Sequence, residues 1–216
     1  MMNRDPRKSM IRRAIATGAA MAALAIPHSA GAQSDSSTTI ARVDLKSLNG
    51  GGASGQATLR LSADQRTLTV SIKASGLDAG GIHLSHIHGL SENGAAVEST
   101  CPTSAQDDDG DGFVELAEGA ATYGPILVDF MNVDPDQDGN ISFERTVNLT
   151  GTEIALPLAM RHIVVHGKNV PAGPGAGTPG EVNGTNGYLV LLPVLCGEIR
   201  VTGKEGGPLQ FRRPRS

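Results

Sequence analysis

The chain lacks tryptophan altogether, is poor in other aromatic residues and has few segments with the periodicity of an amphipathic helix. Only two tyrosines and four phenylalanines occur in 216 residues, whereas glycine occurs 28 times. Convincing amphipathic helical windows are hard to find, and short runs that alternate between apolar and polar residues dominate instead. The composition therefore argues against a helical domain and indicates antiparallel strands.

Motifs of several common enzyme classes are also missing. The sequence has no P-loop, no dinucleotide-binding fingerprint and no apparent serine–histidine–acid arrangement. The net charge is -4 at pH 7, and removal of the basic leader described below makes the remaining chain more acidic. Because nucleic acids and anionic membranes are negatively charged, we expect neither as a partner.

The first 32 residues have the pattern of an export signal. Basic residues precede an apolar stretch over residues 14–27 that is too short to cross a bilayer as a stable anchor, and Ala30-Gly31-Ala32 supplies the small residues that a signal peptidase requires. We expect cleavage before Gln33 and a periplasmic or secreted protein without a membrane span. The Arg12-Arg13 pair leaves twin-arginine export open as the less favoured route, since the residues after it match that motif poorly.

Removal of the leader from the chain of 216 residues leaves about 184, which suits one domain. We expect a flexible linker over residues 33–38, a β domain over 39–203 and a basic, disordered tail over 204–216. The two cysteines, Cys101 and Cys196, lie far apart in the sequence. In an oxidising compartment such a pair suggests one disulfide that closes a long loop.

Short alternating runs predict the strands of this domain. Residues 57–61 and 68–72 form a predicted hairpin, with Asp64-Gln65 in the turn. Many short strands at this spacing are typical of a β-sandwich or Greek-key barrel. Two long segments, 90–122 and 171–186, break the rhythm, and loops of this length are usually functional or mobile. The other predicted strands are 40–45, 82–88, 126–130, 141–149, 162–166, 188–192 and 197–201.

Two histidine-rich segments lie on predicted strands, at residues 83–89 and 161–167. Residues two apart on a strand share a face, so His86 and His88, with α-carbons roughly 7 Å apart, can reach one metal ion. His166 could close the site from another strand. His162 lies roughly 13 Å from His166 along an unbroken strand and is therefore excluded as its co-ligand. Imidazole suits copper and zinc, and three such groups with an open position allow copper redox chemistry.

Around these histidines, most of residues 80–202 resembles the copper/zinc superoxide dismutases. Gly81-Ile82-His83-Leu84-Ser85-His86-Ile87-His88 is similar to the first copper-binding strand of that family, and Arg161 to His166 is similar to its later histidine strand. The resemblance implies copper ligands at His86, His88 and His166 and a structural histidine at His83. It also implies a Cys101–Cys196 disulfide, a Greek-key β-barrel or sandwich with long inserted loops, and dismutation of superoxide to O₂ and H₂O₂.

The chain departs from the family in ways that affect function. No histidine lies between His88 and His162, so the bridging and zinc-binding histidines have no counterpart, zinc is not expected, and Asp129 is interpreted as a turn residue. Pro193 stands where the family has the arginine that attracts superoxide. Residues 76–89 also resemble the chordin-type repeat domain. The alternative is therefore a non-catalytic extracytoplasmic module that binds copper, calcium or both.

An acidic segment at residues 107–118 resembles the twelve-residue calcium loop of EF-hand proteins. Gly112 stands at the sharp turn, and residues 103–106 do not look like an entering helix. We expect a calcium-stabilised loop, with an unliganded Asp/Gly turn as the alternative. A second acidic segment, 134–145, has Arg145 at the last position and is interpreted as a turn. The expected calcium ligands are Asp107, Asp109, Asp111, the carbonyl of Phe113, Glu115 and Glu118.

Overall fold

The computed structural model of the protein describes residues 36–152 and 155–206, which form eleven β-strands and one short α-helix. The predicted leader, residues 33–35 of the predicted linker and residues 207–216 of the predicted tail lie outside these residues. The all-β fold is thereby confirmed. The strands are β1 (Thr38–Ser47), β2 (Ser54–Leu61), β3 (Thr67–Ser75), β4 (His83–His88), β5 (Leu90–Glu92), β6 (Ala95–Val97), β7 (Ile126–Val133), β8 (Ile141–Asn148), β9 (His162–Val170), β10 (Gly187–Glu198) and β11 (Arg200–Glu205), and the helix is α1 (Leu116–Tyr123).

One antiparallel sheet wraps around the core as a nearly closed barrel or flattened sandwich. Its strand order is β7-β4-β9-β10-β1-β2-β3-β8, and β11 pairs with β1 off this path. Neighbours such as β3 and β8, β4 and β9, or β1 and β10 are not consecutive in the chain, so the connections cross between strands, as in Greek-key folds. The strand β4 therefore lies between β7 and β9, and this position brings the two histidine-rich segments side by side.

The β2–β3 hairpin shows how alternation specifies the sheet. Along β3 the buried residues Leu68, Val70 and Ile72 alternate with more exposed ones, and they face the main core. The turn has Gln65 at φ 59°, and the Asp64 carboxylate accepts hydrogen bonds from the Ser62 hydroxyl (2.6 Å) and the Arg66 amide (3.1 Å). The predicted hairpin is therefore present, with its register fixed by burial of the apolar face.

The segment 90–122, expected as a loop, contains regular structure. The strands β5 and β6 form a small hairpin, and α1 follows the acidic segment. On β10 the predicted strands 188–192 and 197–201 also differ from the structure, because one strand runs from Gly187 to Glu198 and β11 begins at Arg200. Register irregularities against β9 between Leu189 and Leu195 let this long strand bend. Within the described residues, no helix is long and apolar enough to cross a membrane.

Arg161 holds the β5–β6 hairpin against the sheet. Its side chain is almost fully buried, and Nη1 donates hydrogen bonds to the carbonyl oxygens of Leu90 (2.9 Å) and Val97 (3.2 Å). Gly89 allows this approach, since a Cβ there would lie 2.3 Å from Cδ of Arg161. A glycine directly after β4 is therefore required by close packing.

The Cys101–Cys196 disulfide joins the same insertion to β10 and is confirmed, with a Cα–Cα distance of 5.8 Å. Cys196 packs with Tyr123 of α1 and Val164 of β9 in a small cluster on the outer face of the sheet. Helix α1 is too short to be stable alone, so this packing must hold it in place. The disulfide therefore helps to hold α1 against the outer face of the sheet.

Replacing both cysteines by alanine is expected to destabilise the domain by about 2–4 kcal/mol, because the bond closes a long loop in the unfolded chain. The sequence separation of the two cysteines is 95 residues. Urea denaturation of the double variant and of the oxidised wild type measures the difference. A loss below about 0.5 kcal/mol would contradict this assignment of the disulfide's role.

Candidate metal centre

Three imidazoles converge on the outer face of the barrel, where β4 and β9 pair. On β4, Ile87 faces the core, so His86 and His88 face outward. Pairing of Ser85 with Val165 and of His86 with Val164 makes His166 the diagonal neighbour of His86. We call His86, His88 and His166 the histidine cluster.

The histidine cluster is compact and almost inaccessible to solvent. One ligand nitrogen from each ring lies within 4.8 Å of the others. The ring centroids are 5.5 Å apart for His86 and His88, 5.3 Å for His86 and His166, and 5.6 Å for His88 and His166. Two nitrogens bound to one ion at about 2.1 Å can be at most about 4 Å apart, so only a small closing movement would seat an ion.

Backbone carbonyl oxygens determine which nitrogen of two rings carries the proton. Nδ1 of His88 lies 2.9 Å from the Gly124 carbonyl oxygen, and Nδ1 of His166 lies 2.7 Å from that of Leu191. A carbonyl oxygen only accepts, so Nδ1 must donate in both rings. Nε2 of each ring then carries a lone pair, and both Nε2 atoms are buried without a hydrogen-bond partner. Lone pairs buried in this way are suited to a metal ion.

His86 presents its other nitrogen. Its Nε2 lies 3.4 Å from Oδ1 of Asp129, across the β4–β7 pair, while Nδ1 is buried without a hydrogen-bond partner. The carboxylate favours a proton on Nε2, which leaves the Nδ1 lone pair free. Asp129 lies within β7 rather than in a turn, and it also accepts a hydrogen bond from the Met131 amide (2.7 Å). Its contact with His86 was not foreseen, because it depends on cross-strand register.

The histidine cluster is neutral at ordinary pH. Burial lowers the pKa of His88 to about 4 and that of His166 to about 3. Burial also lowers the pKa of His86, despite the opposing effect of Asp129. Neutral imidazole is the form that binds metals, so the three rings are ready to act as ligands without losing protons.

The remaining described histidines lie next to the cluster but outside it. The ring nitrogens of His83 face the carbonyl oxygens of His166 (3.0 Å) and Asp78 (3.2 Å), which places this ring as a brace between strands. His162 is stacked on His88 at 6.3 Å between centroids, and its Nδ1 is 3.2 Å from the Ser99 hydroxyl. Neither ring belongs to the group whose nitrogens could share one ion.

A cavity of about 490 Å³ opens above the histidine cluster, and we call it the histidine pocket. The ring of Tyr123 packs edge-on against His88 at 4.9 Å, and its hydroxyl donates to the Leu116 carbonyl oxygen (2.8 Å), so α1 forms one wall. No lysine or arginine is among the lining residues. These are Leu84, His86, His88, Leu116, Ala120, Tyr123, Gly124, Pro125, Ile126, His166 and Leu191.

The acidic segment forms a second candidate site away from the histidines. Ligand oxygens of Asp107, Asp109 and Glu118 lie within 4.8 Å of one another. Asp107 Oδ2 accepts a hydrogen bond from the Gly112 amide (2.9 Å), and Gly112 has φ 91°, the positive value expected at the sharp turn. Residues Ser104–Gln106 form only a single 3₁₀ turn, so the loop lacks the entering α-helix of an EF-hand.

Two expected calcium ligands, Asp111 and Glu115, are not members of this acidic group. Glu115 is 4% exposed, and its Oε1 accepts a hydrogen bond from the Val182 amide at 2.5 Å, within the Gly/Pro-rich loop 171–186. Asp111 Oδ1 accepts from the Phe113 amide (2.8 Å), while its Oδ2 is buried without a partner. Burial, followed by neighbouring carboxylates, raises the pKa of Asp111 and of Glu115. A cation would relieve this repulsion.

The loop over these acids contributes a carboxylate that sequence reasoning missed. Burial and the nearby Glu115 raise the pKa of Glu181, and its Oε2 is buried without a hydrogen-bond partner. The side chain of Phe113 packs against the cluster that contains Val182. The role of the Phe113 carbonyl oxygen as a calcium ligand stays a prediction. No local motif marks Glu181, because the long-range packing of loop 171–186 brings it to Glu115.

The second acidic segment forms the turn expected from sequence. Asp136 Oδ1 accepts hydrogen bonds from the amides of Asp138 and Asn140, both at 2.9 Å. The Asp136 amide donates to the Asn140 carbonyl oxygen (2.8 Å), which closes the β7–β8 connection. These hydrogen bonds lower the pKa of Asp136. Hydrogen bonds within the segment therefore satisfy the Asp136 carboxylate and close the turn without a metal ion.

Comparisons with known proteins do not assign the chain. A scan against protein-family models finds no matching family, and a search of the curated proteins finds no match.

The metal-free protein is expected to lose stability as the pH falls below about 6.5, the ordinary histidine pKa. Its folded state keeps His88 and His166 neutral down to pKa values of about 4 and about 3, while the unfolded chain takes up protons. The unfolding free energy should fall by up to about 1.4 kcal/mol per pH unit for each such ring.

Urea denaturation of the metal-free protein between pH 7.5 and pH 4.5 measures this slope. His88→Gln cannot take up the proton at that position, so its slope should be shallower than that of the wild type. Equal slopes for the two proteins would show that His88 is not held neutral by burial.

Proposed function

We propose that this protein binds one copper ion through Nδ1 of His86 and Nε2 of His88 and His166. The supporting observation is the convergence of three buried, unpartnered ring nitrogens whose tautomers are set by Asp129 and two carbonyl oxygens. Three imidazoles suit copper and zinc, and among divalent ions copper binds such sites more tightly. The resemblance of residues 80–202 to copper/zinc superoxide dismutases also favours copper.

An exported location fits this proposal. The N-terminal 32 residues have the pattern of a signal peptide. The Cys101–Cys196 disulfide belongs to the chemistry of oxidising compartments, such as the periplasm or the extracellular space. We infer a periplasmic or secreted copper protein with a dismutase-like domain.

Copper binding without fast catalysis agrees best with the electrostatics of the site. Copper held there would supply one-electron redox chemistry, and the pocket leaves room for a small molecule, which favours superoxide dismutation as the second candidate function. The pocket lining contains no lysine or arginine, however. Pro193 of β10, which stands where the dismutases have an arginine, pairs with His166 of β9 and supplies no positive charge. The Asp129 carboxylate beside His86 would repel an anion. We therefore place binding of copper before dismutation.

Replacing His166 by Gln should remove stoichiometric copper binding, because the site loses one of its three nitrogens. His162→Gln is the matched control, since His162 is also buried on β9 but lies outside the histidine cluster. Copper per protein after dialysis against a weak chelator is the measurement, with thermal unfolding to show that both variants fold. Undiminished copper in a folded His166→Gln variant would refute the site.

The rate of superoxide dismutation per bound copper decides between the two candidate functions. We expect a rate at least about tenfold below the diffusional range of 10⁸–10⁹ M⁻¹s⁻¹, because electrostatic attraction of the anion is missing. A rate within that range would establish a copper-only dismutase.

The acidic group Asp107, Asp109 and Glu118 is our candidate for a structural calcium site. Hard carboxylate oxygens suit calcium rather than copper, and the loop has the required spacing and turn. Glu118 belongs to the first turn of α1, which also forms a wall of the histidine pocket. Calcium bound there would stabilise the start of this helix.

Calcium in the millimolar range is expected to raise the melting temperature by a few degrees, since it binds the folded state selectively. Glu118→Gln should abolish the rise. Asp138→Asn, in the turn of the second acidic segment, should retain it. Scanning calorimetry with calcium and with chelator measures the effect, and an equal rise in both variants would exclude the site.

A further inference from the structure

The histidine pocket is larger than a diatomic substrate needs. Its volume of about 490 Å³ lies within the range of cavities that bind small organic molecules, about 300–1,000 Å³. Its base is the histidine cluster, and its mouth lies between Ile126 of β7 and Leu191 of β10, which are 52% and 40% exposed. A molecule entering through this mouth would come to rest beside the three ring nitrogens.

The walls of the pocket are apolar. Leu84 comes from β4, Leu116 and Ala120 come from α1, and Ile126 and Leu191 form the mouth. Polar hydrogen atoms in the wall are already used, because the Tyr123 hydroxyl donates to the Leu116 carbonyl oxygen. The histidine nitrogens that face Gly124 and Leu191 are likewise engaged. A ligand therefore binds mainly by burying apolar surface, and the unpartnered ring nitrogens of the histidine cluster remain as hydrogen-bond acceptors.

Aromatic rings in the wall suit a planar ligand. Tyr123 and His88 already meet edge to face at 4.9 Å, and the three imidazoles are tilted at the base. Aromatic rings favour edge-to-face or offset contact with one another, and such contacts stabilise a complex beyond the effect of area burial. A single six-membered ring can use such contacts and fits the cavity volume.

The charges around the pocket oppose an anion. Among the lining residues there is no lysine or arginine, and the Asp129 carboxylate lies beside the cluster, with its Oδ1 3.4 Å from Nε2 of His86. An anionic ligand would lose its hydration to an apolar wall and meet a carboxylate. A neutral ligand meets neither penalty.

We propose that the histidine pocket binds an uncharged molecule with a single aromatic ring, of the phenol class, against the histidine cluster. Binding is a property of the pocket walls and occurs with or without metal. A role for this molecule as a ligand or substrate beside bound copper rests on the proposed function.

Phenol and benzoate form a matched pair of probes, since both carry one ring but only benzoate is charged at pH 7. Titration of each into the metal-free mature protein, followed by NMR chemical shifts of the backbone amides, should give saturable binding of phenol with shifts at Ala120, Tyr123 and Ile126. Benzoate should bind at least tenfold more weakly. No saturable binding of phenol, or benzoate binding of equal strength, would overturn the proposal.

Ala120→Phe should fill the pocket from α1 and weaken phenol binding at least tenfold. Ala121→Phe is the control, because Ala121 is also exposed on α1 but does not line the pocket. Phenol binding unchanged by Ala120→Phe would place the probe elsewhere and refute the proposal. Copper per protein, measured on copper-loaded portions of the same preparations, reports separately on the histidine cluster, so failure of the pocket is distinguishable from failure of the copper site.

Discussion

The pairing of β4 with β9 is the constraint on which the candidate site depends. It places His86 and His88 beside His166 on the outer face, while Ile87, Ile163 and Val165 anchor the opposite faces of the same strands in the core. A slip of one residue would send the imidazoles inward and the aliphatic side chains outward, at the cost of the core. Stability of the barrel and geometry of the histidine cluster are therefore specified by the same strand register.

Exclusion of water from the histidine cluster lowers the stability of the metal-free protein. Buried imidazoles with unpartnered nitrogens are unfavourable in a metal-free protein, and burial shifts their pKa values towards acid. The insertion maintains this burial, since α1, the Cys101–Cys196 disulfide and the contact of Arg161 with the β5–β6 hairpin hold it against the sheet. A metal ion bound by the nitrogen lone pairs would offset this loss of stability. The insertion that covers the outer face of the sheet therefore contributes to the proposed copper site.

Local pattern predicted strands such as β2 and β3, because burial on one face imposes alternation on them. The histidine-rich segments were also predicted as strands, although β4 and the first part of β9 are buried on both faces. Local pattern was insufficient for the insertion 90–122, where short elements such as α1 are stabilised by long-range packing. The contact of Asp129 with His86 depends on cross-strand register, and the turn of Glu115 towards Val182 depends on loop 171–186. These contacts join segments that are distant in sequence, so no local spacing indicates them.

The central claim is that three imidazoles hold one metal ion, and X-ray absorption at the copper edge of the copper-loaded mature protein tests it most directly. We expect three imidazole nitrogens at about 2.0 Å, with the outer-ring scattering typical of histidine ligands. His162→Gln should leave the spectrum unchanged. Copper ligands that are mainly oxygen, or that include fewer than three imidazoles, would show that copper is not held by the histidine cluster and would contradict the account.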